Sequence, residues 1–182
     1  MDMQRRLMYF TVHIDTNLIN ARQRLPEVNQ LEKWCQDDVL IINMSATAWH
    51  EAQAGNDELR ARKAAQQVFT ITEPVDHGSE EFRKAAAILF PDGVANENQR
   101  NDVCIVCEAA KYGAILVTND GGSKSQPGGI LGNRSKFGDA PRIKSPSEMV
   151  AFVRREISAR DEFNREVHRR TGQELPDWTG KD

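Results

Sequence analysis

Three short stretches of the chain are apolar or nearly so: YFTVHI at 9–14, VLIIN at 39–43 and AILVT at 114–118. Runs of this length, partly β-branched, predict strands buried inside a sheet. Between them the apolar positions fall at helical spacing. A short helix is expected over 18–24, stopped by Pro26, and a second over 28–36 with Val28, Leu31 and Cys35 on one face. Ser45 caps a helix carrying Trp49 and Glu51, broken by Gly55 and Asn56. Further helices cover 57–68 and 79–90. Asn101 and Asp102 open another, which ends at Tyr112 and Gly113. Residues 121–138 are rich in Gly, Ser and Pro and predict a long loop, a frequent seat of function. A short edge strand around Ile143 leads to a long amphipathic helix from Ser147 to the region of Arg170, with Met149, Phe152, Val153 and Ile157 on its apolar stripe. The tail ELPDWTGKD is expected to be loosely ordered.

Strands alternating with helices predict an α/β fold with a mainly parallel sheet. A chain of 182 residues, 39% hydrophobic, suits a single core. The net charge of −3 supplies no global basic field for nucleic acid, which leaves any such contact to a local patch. Three cysteines make no disulfide framework and fit a reducing compartment. No apolar run approaches the ~20 residues of a membrane helix, so a soluble cytoplasmic protein is expected.

The chemistry lies in acids at element ends. In open parallel sheets, sites form beyond the carboxyl ends of the strands. Asp15 follows the first strand and Asp120 the third. Asp102 starts the helix that runs back toward the third strand, so it begins at the same edge. Glu51, in the helix after the second strand, can bring a fourth carboxylate there. Two such charges ~5 Å apart repel by roughly 3 kcal/mol at an effective dielectric near 20. Protons, basic partners or a divalent cation must offset this. An all-oxygen donor set suits Mg²⁺ or Mn²⁺, which can activate a bound water and stabilise phosphoryl oxygens. Singly, each aspartate could equally be a helix or turn cap. The four on one inferred edge favour a metal site.

The ordered set IDTNLI, AWHEA, NDVCIVCEAAKYGAILVTNDGG and RIKSPSEMVAFV resembles the PIN-domain nucleases over most of residues 8–155. The resemblance implies a three-layer α/β/α sandwich. It implies a nuclease domain over 1–155, with 156–182 as a C-terminal helical extension and tail. It implies a Mg- or Mn-dependent endoribonuclease in which Asp15, Glu51, Asp102 and Asp120 form the catalytic metal site. Asn17, Thr118 and Asn119 would be its supporting polar groups. VapC-like members are the toxins of toxin–antitoxin pairs and form homodimers, so an antitoxin and a second copy join RNA as implied partners. The sequence departs from some members in carrying Gly121, Gly122 and Ser123 after Asp120, where they have another acid.

Beside Asp120, the loop's Lys124, Arg134 and Lys136 are candidates for contact with an RNA backbone. GGSKSQPGG lacks the Gly-Lys-Ser/Thr ending of a phosphate loop, and no helical pattern follows it, which excludes a nucleotide-triphosphate site. Cys104 and Cys107 continue an apolar helix face and predict core packing. Trp34 and Trp49 are likewise expected in the core, and His13 and His50 stay outside the catalytic set. Two other readings remain open. One is a haloacid-dehalogenase-like phosphatase, which usually needs an acid where Asn17 stands. The other is a catalytically idle RNA- or partner-binding module.

Overall fold

The computed structural model describes the chain except residues 1–3, 20, 21, 23, 55, 56, 68–71 and 125, with backbone only at 66 and 67. The expected break at Gly55 and Asn56 and the helix end at Val68 lie outside the described residues, as do Asn20, Ala21 and Gln23 of the helix expected over 18–24.

Strands β1 (Val12–Ile14), β2 (Ile42–Asn43), β3 (Ile115–Val117) and β4 (Arg142–Lys144) form one sheet in the order β2-β1-β3-β4. All three pairings are parallel, so every carboxyl end lies on one edge. The central strands β1 and β3 are buried at every residue, as unbroken apolar runs require. The apolar runs exceed the ladders: Phe10, Val39 and Leu40 are buried outside any strand. Hydrophobicity there reports burial rather than pairing.

The helices are α1 (Pro26–Gln36), α2 (Ala46–Ala54), α3 (Glu58–Gln67), α4 (Glu80–Leu89), α5 (Glu97–Lys111), α6 (Gly129–Asn133) and α7 (Pro146–Thr171). The chain steps one way along the sheet from β1 to β2, then back past β1 to β3. Right-handed crossovers therefore put α1 on one face and α2 to α5 on the other. α7 packs on α1, and α5 packs on β3, α2 and α4, giving three α/β/α layers. α7 runs unbroken from a capping box at Ser145 and Glu148 to Gly172, through positions 155 and 156. Among the described residues, no helix is long and apolar enough to cross a membrane.

Several expectations need correction. The described residues after Leu18 in the span 18–24 (19, 22 and 24) are not helical; a 3-10 turn stands at Thr16–Leu18, and Pro26 opens α1 instead of merely ending its predecessor. α5 begins at Glu97, because the Asn96 side chain accepts a hydrogen bond from the Gln99 N–H at 3.0 Å. Asp102 therefore sits in the second turn and is not the helix opener. The Gly-rich stretch is not all loop: it holds α6 and a 3-10 turn at Arg134–Phe137, so a short helix does follow GGSKSQPGG. Nor is the tail loose. The Asp182 carboxylate is buried between Arg5 and Arg160, with Arg160 donating to it at 2.8 Å, and the Gly180 N–H donates to Asp161 at 2.7 Å. Arg160 also lies over the Trp178 ring at 4.5 Å.

One buried acid joins two helices that matter for the site. Glu108 on α5 is fully buried and accepts from the Thr47 hydroxyl at 2.7 Å and the Thr47 N–H at 3.2 Å, at the start of α2. Replacing it removes the acceptor for one of the orphan N–H groups at a helix start and takes the carboxylate partner from the half-buried Thr47 hydroxyl. Glu108→Ala is expected to lower stability by roughly 1–3 kcal/mol in urea unfolding. An unchanged midpoint would show that the contact contributes nothing to the fold.

Candidate functional site

The sheet ladder extends one step beyond the strands. The Asp15 N–H donates to the Val117 carbonyl at 3.0 Å, and the Thr118 N–H to the Lys144 carbonyl at 3.1 Å. Asp15 and Thr118 are thus fixed as neighbours at the carboxyl edge. The Thr118 hydroxyl donates to Asp15 Oδ2 at 2.6 Å, and Asn17 Nδ2 donates to the same oxygen at 2.7 Å. Asn119 contributes only its backbone N–H, 3.5 Å from Asn17 Oδ1.

Glu51 comes to this edge from α2 and is held at both oxygens. The Thr16 hydroxyl donates to Oε2 at 2.6 Å, and Asn101 Nδ2 donates to Oε1 at 2.8 Å. Asp102, next to Asn101 on α5, receives no hydrogen bond among the described residues. Burial raises its pKa to about 7, and the charges of Asp120, Asp15 and Glu51 add to the rise. Burial also raises Asp15, to about 6; Glu51 and Asp120 push the same way, while the Thr118 hydrogen bond opposes them. Asp102 therefore feels the other three acids, and Asp15 feels Glu51 and Asp120.

Asp120 has a further task. Its Oδ1 accepts from the Gly122 N–H at 3.0 Å and its Oδ2 from the Ile130 N–H at 2.7 Å. Its carbonyl accepts from the Leu131 N–H at 3.1 Å. The Gly-rich segment is thus folded around this carboxylate. Gly129, at φ +55°, comes so close that an added Cβ would lie 2.6 Å from Asp120 Oδ2 and 2.4 Å from the Gly122 nitrogen. Only glycine permits that approach.

The four acids are hard oxygen donors, the right kind for Mg²⁺ or Mn²⁺. Their spacing is more open than a finished ligand set: among the described residues, no three Asp, Glu, His or Cys side chains converge tightly enough to hold a metal ion as they stand. Of the basic candidates, Lys124 is exposed, Lys136 donates to Asn133 at 2.7 Å, and Arg134 is paired with Glu148 at 2.6 Å. Cys104 and Cys107 are buried free thiols, and Trp34 is buried in the core. His13 is buried with neither ring nitrogen hydrogen-bonded among the described residues, and burial lowers its pKa to about 4.

Three contributors escaped the sequence reading. Thr16 and Asn101 orient Glu51, and Arg60 on α3 donates to the Thr16 carbonyl at 2.8 Å. The adjacency of Thr16 to Asp15 and of Asn101 to Asp102 was the available signal. Nothing local marked Arg60.

Neither protein-family models nor curated proteins match the chain. Among solved structures, it is similar to a chain in the crystal structure of VapBC2 from Rickettsia felis bound to a DNA fragment from its promoter. The identity is 19% and the TM-score 0.42, over 75% of this chain and 98% of that one. It is also similar to a chain in the structure of FitAB bound to an IR36 DNA fragment, at 15% identity and a TM-score of 0.41, over 75% and 95% of the two chains.

The raised pKa of Asp102 fixes the sign of a pH effect. Its folded-state value lies above the ordinary 3.8, so its stabilising contribution is complete below that pH and is lost as the pH rises through about 7. Asp102→Asn is expected to match the wild type near pH ~3.5. At pH ~8 in EDTA it should exceed it by on the order of 2 kcal/mol in urea unfolding, after allowance for solvent screening. A variant no more stable than the wild type at the higher pH would show that the acid charges do not strain the site.

Proposed function

We propose that the chain is a PIN-like, metal-dependent endoribonuclease that hydrolyses RNA phosphodiester bonds. One observation carries this reading: Asp102 is a partly buried carboxylate that no hydrogen bond satisfies among the described residues, set where it feels three other acids. A structural cap would be hydrogen-bonded, as Asp120 is. A carboxylate kept unpaired among like charges is the arrangement expected of a cation site.

Asp15, Asp102 and Asp120 would hold Mg²⁺ or Mn²⁺ directly or through water, and Glu51 would complete the set. The ion, when bound, would neutralise the cluster, activate water and stabilise charge on phosphoryl oxygens. The protein's own part is orientation. Thr118 and Asn17 fix the Asp15 carboxylate, while Thr16 and Asn101 fix Glu51, which suits Glu51 to position an attacking water. Lys124 and Lys136 offer contacts to the RNA backbone; Arg134 would have to leave Glu148 to do so. Membership in a toxin–antitoxin pair, with an antitoxin and a homodimer partner, is the extension that the motif resemblance implies. The phosphatase alternative loses ground at Asn17, whose amide is already bound to Asp15 and cannot serve as a proton donor.

The test is cleavage of total RNA with Mn²⁺ by the wild type and by Asp102→Asn. The wild type is expected to cut. The variant is expected to lose at least roughly a hundredfold in rate while keeping its fold by circular dichroism. Undiminished cleavage by the variant, or none by the wild type, would defeat the reading.

A further inference from the structure

A polar cleft of about 630 Å³ opens beside the acid cluster. It is lined by Thr16, Thr47, His50, Glu51, Arg60, Glu97, Asn98 and Asn101. Two of these, Thr16 and Glu51, belong to the site already described, so the cleft and the acids share a wall. Of its other residues, Asn101 holds Glu51, Arg60 holds the Thr16 carbonyl and Thr47 pairs with Glu108, while His50, Glu97 and Asn98 have no such task.

Their chemistry is suggestive. Arg60 is half-buried and tethered by a single hydrogen bond to the Thr16 carbonyl. Among the described residues no carboxylate pairs with it, which leaves most of its five N–H donors unengaged. Glu97 and Asn98, on the first turn of α5, are exposed and meet no partner among the described residues. His50 is exposed at the rim, its ring centroid 5.1 Å from that of Trp49 and steeply inclined to it. A cation, an unpaired carboxylate, a free amide and an imidazole around one cavity make a hydrogen-bonding enclosure of the kind that reads an unstacked base of single-stranded RNA. A simple phosphate pocket would not place Glu51 and Glu97 in its wall.

We propose that this cleft is the subsite for the nucleotide next to the scissile phosphate, and that it selects guanine. The proposal rests on the ribonuclease reading for its place in the reaction, but its binding chemistry stands apart from it. The Glu97 carboxylate accepts the adjacent N1–H and N2–H of guanine, a pair of donors that adenine, cytosine and uracil do not present together. Asn98 supplies a complementary donor to the O6 side. Arg60 takes the phosphate of the same nucleotide, which orders the strand so that the next phosphate meets the acids. The His50 ring stacks on the base.

Two measurements test this. The first is binding of guanosine 5′-monophosphate to the full chain in EDTA by isothermal titration, with the adenosine and cytidine nucleotides as controls. Guanosine monophosphate should bind more tightly than either. Glu97→Gln should erase the guanine preference, and Arg60→Ala should weaken all three nucleotides. The second is Mn²⁺-dependent cleavage of short single-stranded RNAs that differ only by guanine or inosine at one position. Inosine lacks the N2 amino group, so the wild type should favour guanine by roughly tenfold in kcat/KM, and Glu97→Gln should lose that ratio. Equal binding of the three nucleotides, or a guanine preference that survives Glu97→Gln, would overturn the proposal and leave the nuclease reading standing. Guanine-selective binding by a chain that cuts no RNA would support the subsite and overturn the nuclease reading.

Discussion

Mutual repulsion among carboxylates at the carboxyl edge of the sheet is the constraint around which the rest of the site is arranged. The fold gains nothing from bringing Asp15, Glu51, Asp102 and Asp120 into one neighbourhood; burial does most to raise the pKa values of Asp15 and Asp102, and the neighbouring charges add to the rise. What makes the arrangement tolerable is a set of neutral donors. Thr118 and Asn17 serve Asp15, Thr16 and Asn101 serve Glu51, and backbone N–H groups serve Asp120. Among the described residues no basic side chain donates to the four, so their charge is offset there by neutral donors alone.

The parallel sheet supplies the geometry for this at little expense. Hydrogen bonds that continue the β1–β3–β4 ladder by one residue deliver Asp15 and Thr118 side by side, so the most buried acid is positioned by backbone rather than by side-chain packing. Asp120 then extends the order outward. By gathering the N–H groups of Gly122 and Ile130, it ties the Gly-rich segment to the site, and the near contact of Gly129 with its carboxylate leaves that segment little room to move independently.

Much of this was legible in the residues. Unbroken apolar runs marked β1 and β3, and the stripe through Met149, Val153 and Ile157 marked α7, because burial on both faces and helical spacing are strong local signals. That Asp15 and Thr118 stand side by side at the carboxyl edge followed from strand direction. Other features were not local. Asn96 rather than Asn101 starts α5, a choice between two adequate caps that the sequence does not rank. The tail reads as polar and irregular, yet it is ordered by ion pairs to Arg5 and Arg160, which stand 177 and 22 residues away. α6 has too few residues and too many glycines to show a helical pattern, and its order comes from Asp120. Arg60 gave no signal because its partner is a backbone carbonyl, which any sequence would provide.

The buried Glu108 has a geometric consequence. It clamps the first turn of α2 to the interior of α5 through Thr47. Glu51 lies one helical turn beyond that clamp on α2, and Asp102 lies about 9 Å back from it along α5. The spacing between these two acids is therefore gauged by a carboxylate buried inside the helix pair, behind the cleft wall that Thr47 helps to form. A strand entering from outside meets an opening whose width was decided deep in the protein, much as the span of calipers is decided at the screw and not at the tips.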